Sequence, residues 1–556
     1  MTPRARTLLT LAIILAVAAA LRFGDLGLRP IWLDEAMTMR IALGRAPSDV
    51  PIGREAPLAS VPALFAYNPG ATDAGVVGLL QDPVVQHTHP PLFYLLLRRW
   101  LSATRPSAAR LAWTARVPAA ALGVLSVLAI FALARAVVSP AGAAIAAALS
   151  AVSPLMVAIA QEARNYTLPL VCVSVALVAL VAIVDALAAG RRPRAAWWAV
   201  WIAANAAGCY AHYFVVMSVA AQTIALAGVM AFRTPRRAYG ALAAAAAVVA
   251  TAFVPWLPTF WAHAHSPEQA WMHESNPFAY VYETLNGCQA MIQGWRFDLD
   301  APQRAWMAFR LALGLAILAV LVVRIRGALR DPRHRTSLEA LAWVCAVTVG
   351  GLWAGSLALH KNLMVEFRYN FVYYPALIVL VAAALERSRF WLTAALVALG
   401  AAHSVFTIAG LEFPTPGRPT EVAAILASHL DAPTLAIVGE ASYHETMFGL
   451  TYLLALSQMP AAATQVSFAF VRRSDAYPTF VRDDADPDIF WRRASRVTLA
   501  RAPKTVWVWV PYFSPQDYPP SFRLDGGRTC ALDAREAGRP LDEDPPRGPF
   551  RLYHCA

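Results

Sequence analysis

The feature of this sequence that most constrains its fold is a succession of long apolar segments separated by short polar ones. A helix needs about 20 apolar residues to cross the hydrocarbon core of a bilayer, and about eleven segments approach that length. They lie near residues 7–23, 113–137, 141–160, 166–188, 196–213, 214–232, 239–262, 305–325, 338–359, 371–386 and 389–409. The sequence therefore predicts a polytopic α-helical membrane protein.

Composition excludes a soluble globule and a nucleic-acid binder. Of the 556 residues, 58% are hydrophobic and only 15% are charged, which leaves too little polar surface to cover a water-soluble protein of this size. The net charge of +12 comes from arginines clustered between apolar segments, a pattern of membrane topology rather than of a DNA-binding face. We expect membrane lipid as a partner and no nucleic acid.

The arginine clusters also predict the orientation in the cytoplasmic (inner) membrane, because Lys and Arg beside spans stay on the cytoplasmic side. Arginines near residues 4–6, 191–194, 233–237, 324–335 and 387–389 then face the cytoplasm, although the turn at 135–140 has a single Arg. The outer face receives loops 24–112, 161–165, 263–304 and 360–370, and the tail from about residue 410. The apolar segment 90–101 is short and is expected to lie in the interface, since a crossing there would place the later arginine clusters outside.

Two domains are predicted. Residues 1–409 form the transmembrane catalytic domain, with 24–112 as its first outer loop, and residues 410–556 form an extracytoplasmic α/β domain. In the tail, β-like runs at 434–438 and 504–510 alternate with helical runs at 421–430 and 444–456. Cys530 and Cys555 are disulfide candidates, because an extracytoplasmic compartment is oxidising.

The short cytoplasmic loops limit where chemistry can occur. Each has about 5 to 13 residues, too few for a nucleotide-binding domain, and none has a glycine-rich phosphate loop. An enzyme of this design works on the outer face, where nucleotide sugars and ATP are ordinarily lacking. An activated donor would therefore be carried by lipid.

Polar motifs in the outer loops are the candidates for that chemistry. Asp34 and Glu35 follow the first span, where a carboxylate can act as a general base, or alternatively can simply begin a helix. His89 precedes two prolines and can donate to a phosphate, although a histidine before a helix is often structural.

Two further outer motifs are rich in cations. Glu162, Arg164 and Tyr166 lie between apolar helices, where Arg164 can hold a phosphate through two hydrogen bonds; the alternative is a surface turn. The second motif contains Lys361, Arg368 and Tyr369, which either meet an anionic headgroup or anchor the ends of helices.

Metal ligation is weakly indicated. His263, His265, His273 and Glu274 have spacings seen among metal ligands, and residues 298–300 read Asp-Leu-Asp. Ligand geometry does not follow from loop spacing, and no CxxC pair is present. We therefore expect no metal ligands and no cofactor, with a role for a divalent cation left open.

At these residues the sequence resembles the GT-C glycosyltransferases of the protein O-mannosyltransferase and lipid A aminoarabinose-transferase type. The resemblance covers roughly the first 375 residues. Its residues, in chain order, are 32–35 (Trp-Leu-Asp-Glu), 89–92 (His-Pro-Pro-Leu), 116–118 (Arg-Val-Pro), Gly123, 161–167, and Arg368 with Tyr369.

The resemblance implies a polyprenyl-phosphate sugar as donor and transfer with inversion at the anomeric carbon. It implies Asp34 as catalytic base with Glu35 beside it, and Glu162, Arg164 and Tyr166 as a site near the donor. Arg368 and Tyr369 would make a late phosphate contact, and His89 stands where the aminoarabinose transferases have a lysine. The sugar and the glycan, lipid or protein acceptor are left open.

The leading hypothesis is thus a membrane glycosyltransferase acting on the outer face. One alternative is a transporter or flippase of lipid-linked sugars, but such proteins place polar residues at mid-bilayer, often in repeated halves, and no repeat is evident here. The other alternative is a catalytically silent scaffold whose tail binds an extracellular partner.

Overall fold

The computed structural model describes residues 2–85, 87–233, 237–274, 276–292, 335–413, 415–430, 433–478, 486–533 and 550–556, with scattered residues between 308 and 327. The described chain is mostly helical, with one seven-stranded sheet built mainly from its C-terminal part. The predicted class, a helical protein with apolar spans and a C-terminal sheet, is confirmed at this level.

Sixteen of the described helices precede the tail. They are α1 Pro3–Phe23, α2 Leu33–Leu43, α3 Asp73–Gln81, α4 Leu92–Thr104, α5 Leu111–Val137, α6 Pro140–Ala151, α7 Pro154–Ala160, α8 Thr167–Ala188, α9 Ala195–Ala211, α10 Val215–Arg233, α11 Arg237–Phe253, α12 Leu257–Ala264, α13 Pro277–Gln289, α14 Arg335–Leu359, α15 Tyr374–Leu385 and α16 Phe390–Ile408. Helices occupy every predicted span position that the described residues include. The span predicted near 305–325 lies largely outside those residues.

Within the described part of the chain, six helices are long and apolar enough to cross a membrane, or seven if the bent pair α6–α7 is one span. The span predicted near 141–160 is therefore not a straight helix but bends by 56° between Ala151 and Pro154. Arg22 of α1 fills the bend and donates to the carbonyls of Ser150 and Ala151, both at 2.9 Å. Its guanidinium thus satisfies carbonyl groups that the interrupted helix leaves unpaired.

The loop 24–112 folds into its own helical layer. Helix α2 ends at Gly44, whose φ of +73° is left-handed, and a Cβ there would lie 2.2 Å from the Cβ of Ala71. Helix α4 has 13 residues, fewer than a span requires, and buries Phe93 and Leu97. This layer places the start of α2 beside the ends of the transmembrane helices.

The tail supplies α17 Pro419–Ala427, α18 Tyr443–Ser457, α19 Pro460–Gln465 and α20 Pro487–Ala494. The strands are β1 Ala56–Pro57, β2 Thr434–Glu440, β3 Val466–Arg472, β4 Thr505–Trp509, β5 Ser521–Arg523, β6 Thr529–Leu532 and β7 Arg551–Cys555, in the order β1-β3-β2-β4-β7-β6-β5. Strand β2 runs parallel to β3 and β4, and the other pairs are antiparallel. Both predicted β-runs are strands, and both predicted helical runs overlap helices.

The loop 24–112 and the tail are joined. Strand β1 belongs to the loop, yet it pairs with β3 of the tail, with Ala56 opposite Phe468. Buried Leu58 and Phe65 of the loop share one hydrophobic core with Leu450 of α18. A disulfide links Cys530 and Cys555, closing β6 onto β7. These contacts hold the tail against α2, the helix whose first turn contains the candidate base Asp34.

Candidate functional site

A cavity of about 330 Å³ lies where the outer loops meet the tail. Every loop that the charge pattern assigns to the outer face contributes to its wall. The lining residues are Trp32, Leu33, Asp34, His87, Thr88, His89, Arg164, His212, Tyr213, Phe214, Pro267, Gln269, Trp271, Met272, Leu363, Glu366, Arg368, Tyr369, Ser442, His444, Glu445, Phe448 and Tyr512. Asp34, His89, Arg164, Arg368 and Tyr369 thus come together from loops far apart in sequence.

The adjacent acids Asp34 and Glu35 have different surroundings. Both lie in the first turn of α2, where the helix dipole favours negative charge. Asp34 faces the cavity, and its side chain is 20% exposed. Glu35 is fully buried and lies outside the lining: it accepts from Arg116 Nε and Nη2 at 2.8 and 2.6 Å and from the Ala163 amide at 2.8 Å. Only Asp34 is therefore open to a bound molecule.

Arg164 is the most heavily engaged cation of the cavity. Its Nη2 lies 3.1 Å from Asp34 Oδ2 and donates to His89 Nε2 at 2.7 Å, while its Nη1 donates to Thr38 Oγ1 at 2.8 Å. Its Nε has no hydrogen-bond partner although it is buried. The guanidinium is thus fixed beside Asp34 with one donor unused.

The histidines beside Arg164 are neutral. Burial, and next the charge of Arg164, hold the pKa of His87 and that of His89 well below the usual range. Because a guanidinium only donates, His89 Nε2 is an acceptor and its proton lies on Nδ1. His89 therefore orients Arg164 and adds no positive charge of its own.

Arg368 supplies the second cation, from the turn Phe367–Val372 between α14 and α15. Its Nη1 is 3.7 Å from Glu162 Oε2 and its Nη2 is 3.4 Å from Glu366 Oε2, while the guanidinium lies over the Trp32 ring at 4.8 Å. Its Nε is also buried without a hydrogen-bond partner. Burial raises the pKa of Glu162 to about 7, against the opposing effect of Arg368. One of the two carboxylate countercharges of Arg368 therefore changes near neutral pH.

Of three other predicted site residues, Tyr369, Tyr166 and Lys361, only the first lines the cavity. Tyr166 is fully buried behind the lining, with its ring 6.4 Å from that of Tyr369 and 5.8 Å from the Arg368 guanidinium. Lys361 lies outside the lining and donates to the Ala264 carbonyl at 2.8 Å and to Gln269 Oε1 at 3.0 Å. It joins the 263–272 loop to the 360–370 loop.

The weak metal candidates do not converge. His263 bonds to Tyr213 and to the Leu80 carbonyl, and His265 bonds to the Trp261 carbonyl. Residues 298–300 fall outside the described part of the chain. Among the residues that are described, no group of three or more His, Cys, Asp or Glu side chains is positioned to hold a metal ion.

Sequence reasoning did not identify two parts of the wall. His212 and Phe214 come from the junction of α9 and α10, where a polar residue between two apolar spans was a usable signal. His212 is buried, and its Nδ1 accepts from the Phe214 amide at 3.2 Å. The second part comes from the tail, mainly from α18, and no motif marked it.

Comparisons with known proteins agree with this architecture. Residues 88–261 match the family model described as dolichyl-phosphate-mannose-protein mannosyltransferase. The apo crystal structure of ArnT from Cupriavidus metallidurans is 14% identical with a TM-score of 0.50, over 98% of this chain and 97% of that one. The resemblance to GT-C glycosyltransferases predicted from the sequence is therefore confirmed. The matched region includes His89 and Arg164 but not Asp34 or Arg368.

Two further solved structures match with TM-scores below 0.5. ArnT from Cupriavidus metallidurans bound to undecaprenyl phosphate is 13% identical, with a TM-score of 0.49 over 99% of this chain and 98% of that one. AglB, the oligosaccharyltransferase from Archaeoglobus fulgidus, in complex with an inhibitory peptide and a dolichol-phosphate, is 13% identical, with a TM-score of 0.42 over 91% of this chain and 69% of that one. No functionally curated protein matches by sequence.

Proposed function

We propose that this protein is an inverting membrane glycosyltransferase that moves a sugar from a polyprenyl phosphate to an acceptor hydroxyl at the outer face of the cytoplasmic membrane. The observation that carries the proposal is that Asp34, Arg164 and Arg368 line one cavity. A carboxylate and two cations in a site of this size are the groups that such a displacement needs.

Arg164 and Arg368 are assigned to the donor phosphate. Both guanidinium groups line the cavity, where each can pair its positive charge with a phosphate oxygen. Preorganised cations stabilise the charge that develops on the leaving phosphate. Tyr369 lines the same cavity, whereas Tyr166 supports the ring of Tyr369 and the Arg368 guanidinium from behind. The family description, which names a dolichyl-phosphate sugar, supports the same donor class.

Asp34 is assigned as the general base. The acceptor oxygen forms a bond to the anomeric carbon, and its proton passes to Asp34. The bond from that carbon to the phosphate oxygen breaks, and its electron pair leaves with the polyprenyl phosphate. A single displacement of this kind inverts the anomeric centre, and it needs one carboxylate on the side of the sugar opposite the leaving group.

The remaining predicted residues do not contact the substrates in this proposal but orient the side chains and loops that do. Glu35 holds Arg116 and the Ala163 amide, so it fixes α2 against the segment that carries Arg164. His89 orients the Arg164 guanidinium. Glu162 balances the charge of Arg368, and Lys361 joins two loops of the wall. These four are positioning residues in the proposal.

The membrane arrangement completes the proposal. About eleven spans, counted by the length a bilayer requires, would place the arginine clusters in the cytoplasm and the cavity with the tail outside. Residues 410–556 would then be an extracytoplasmic domain docked on the loop 24–112. The displacement needs no cofactor, and we expect full activity without one.

The test is mass spectrometry of envelope lipids, glycans and proteins from cells with and without the gene. Deletion should remove one sugar from one class of molecule, and the wild-type gene should restore it. Asp34→Asn, at normal expression, should fail to restore it, whereas Asp25→Asn, in the exposed part of the same loop, should succeed. Restoration by Asp34→Asn would refute the assigned base. Movement of the lipid-linked sugar across proteoliposomes without any new glycosidic bond would refute transfer altogether.

A further inference from the structure

The tail forms part of the cavity wall through the first turn of α18. Ser442, His444, Glu445 and Phe448 line the cavity, and Tyr512 adds to them from beyond β4. The Ser442 hydroxyl caps the helix by accepting from the Glu445 amide at 3.3 Å. These side chains of the tail therefore line the same cavity as Asp34.

A direct contact fixes this turn relative to α2. Arg40 of α2 donates through Nε to the Tyr443 hydroxyl at 3.0 Å, and both residues are buried. Asp34 begins α2, and Tyr443 begins α18, so the bond joins the two helices that carry Asp34 and His444. His444, Asp34 and Arg164 line the same cavity.

The tail wall carries no free charge. Among the described lining residues, both arginines come from the membrane-side loops. Glu445 is bound at both oxygens by buried Arg473, at 2.6 and 3.0 Å, and also accepts from the Ala441 amide at 2.8 Å. Burial lowers the pKa of His444 to about 4, so its imidazole is neutral at physiological pH. Neutral polar groups suit an uncharged partner, because an anionic one would be desolvated without a countercharge.

In a single displacement the acceptor enters on the side of the sugar away from the leaving phosphate. With the phosphate assigned to Arg164 and Arg368, the acceptor is assigned to the part of the cavity lined by Asp34 and the tail. We propose that His444 is an acceptor-binding residue, whose imidazole hydrogen-bonds an uncharged hydroxyl-bearing acceptor and holds it toward Asp34. The inference rests on the proposed glycosyl transfer and assigns the tail a part in choosing the acceptor.

The test compares His444→Ala and His444→Gln with His554→Ala, a histidine on the exposed side of β7. Each full-length variant is expressed in the deletion strain, where transfer is measured by mass spectrometry, and is purified to measure the Kd of undecaprenyl phosphate. His444→Ala should lower transfer about tenfold, the loss of one hydrogen bond, and leave that Kd within about twofold. His444→Gln, which keeps a donor and an acceptor, should recover part of the transfer, and His554→Ala should match wild type.

Several results would overturn the inference. Wild-type transfer in His444→Ala would show that the imidazole does not hold the acceptor. A parallel loss of undecaprenyl phosphate binding would assign His444 to the donor instead. A product whose accepting group adjoins a phosphate or carboxylate would contradict the uncharged acceptor. If His444→Ala does not accumulate, His444→Phe, which fills the space without a hydrogen-bonding group, replaces it, and wild-type transfer or lost phosphate binding in that variant has the same meaning. An unchanged envelope after deletion would refute the proposed function, and this inference with it.

Discussion

Replacing Glu35 by Gln separates a structural acid from a catalytic one beside it. Glu35 accepts two charge-assisted hydrogen bonds from Arg116 and one from the Ala163 amide, and both Glu35 and Arg116 are almost completely buried. Gln keeps the shape but leaves the guanidinium without a countercharge. Removing one partner of a buried pair costs about 3–5 kcal/mol. Carbonyls of Leu26 and Arg29 still accept from Arg116, which favours the lower part of that range.

The assay is thermal denaturation of the full-length protein in one detergent, with Asp34→Asn as the matched neighbour. Glu35→Gln should lower Tm by several degrees. Asp34→Asn should lower Tm by less than half as much, because the Asp34 side chain is 20% exposed and its ion pair borders the cavity. The glycosyl-transfer activities should rank in the opposite order: Asp34→Asn should be inactive, and Glu35→Gln should be active at temperatures below its Tm. A Glu35→Gln variant of wild-type Tm without transfer would refute the structural assignment and make Glu35 part of the chemistry.

Two further predictions follow from the site and the tail. Donor binding should weaken as pH rises through 7, because burial raises the pKa of Glu162 to about 7 and the ionised carboxylate then competes with the donor phosphate for Arg368. The Kd of the polyprenyl-phosphate sugar, a diester of constant charge, should rise several-fold from pH 6 to 8 in wild type and stay level in Glu162→Gln; a level wild-type profile would contradict this. The double variant Cys530→Ser with Cys555→Ser removes a cross-link between residues separated by 25 positions in the sequence. Because that cross-link restricts the unfolded chain, its loss should lower the free energy of unfolding of the tail by about 3.5 kcal/mol. Its Tm should be insensitive to dithiothreitol, and a wild-type protein equally insensitive would contradict a stabilising disulfide.

The helices were largely predictable because their signal is local. A long apolar run that must satisfy its backbone hydrogen bonds within itself becomes a helix, and the described spans agree with the predicted positions. The strands at 434–440 and 505–509 were also found, since short apolar runs with β-branched residues mark both, and two tryptophans mark the second. The bend after Ala151 was not predicted, although Ser153 and Pro154 at the start of α7 are a local signal for a helix break; Arg22 from a distant helix then satisfies the freed carbonyls.

The candidate site was predictable in its membrane-side half. Polar motifs at the ends of apolar spans gave Asp34, Arg164 and Arg368, and orientation by charge placed them on one face before any contact was known. The tail half, including His444, carried no such signal, because polar residues are ordinary in a water-soluble segment. The pairing of β1 with β3 was likewise hidden, since two residues are too short a pattern to predict a strand.

The sequence by itself determined a helical membrane chain with its polar motifs gathered at one end of the spans, because apolar length and arginine position act locally. Only tertiary structure decided which of two neighbouring carboxylates is available. Successive residues of a helix point about 100° apart, so Asp34 and Glu35 cannot face the same surroundings. Packing of Arg116 and Ala163 against one side of α2 buries Glu35 and leaves Asp34 facing the cavity. The tail, which is distant from α2 in the sequence, forms another part of the wall of that cavity.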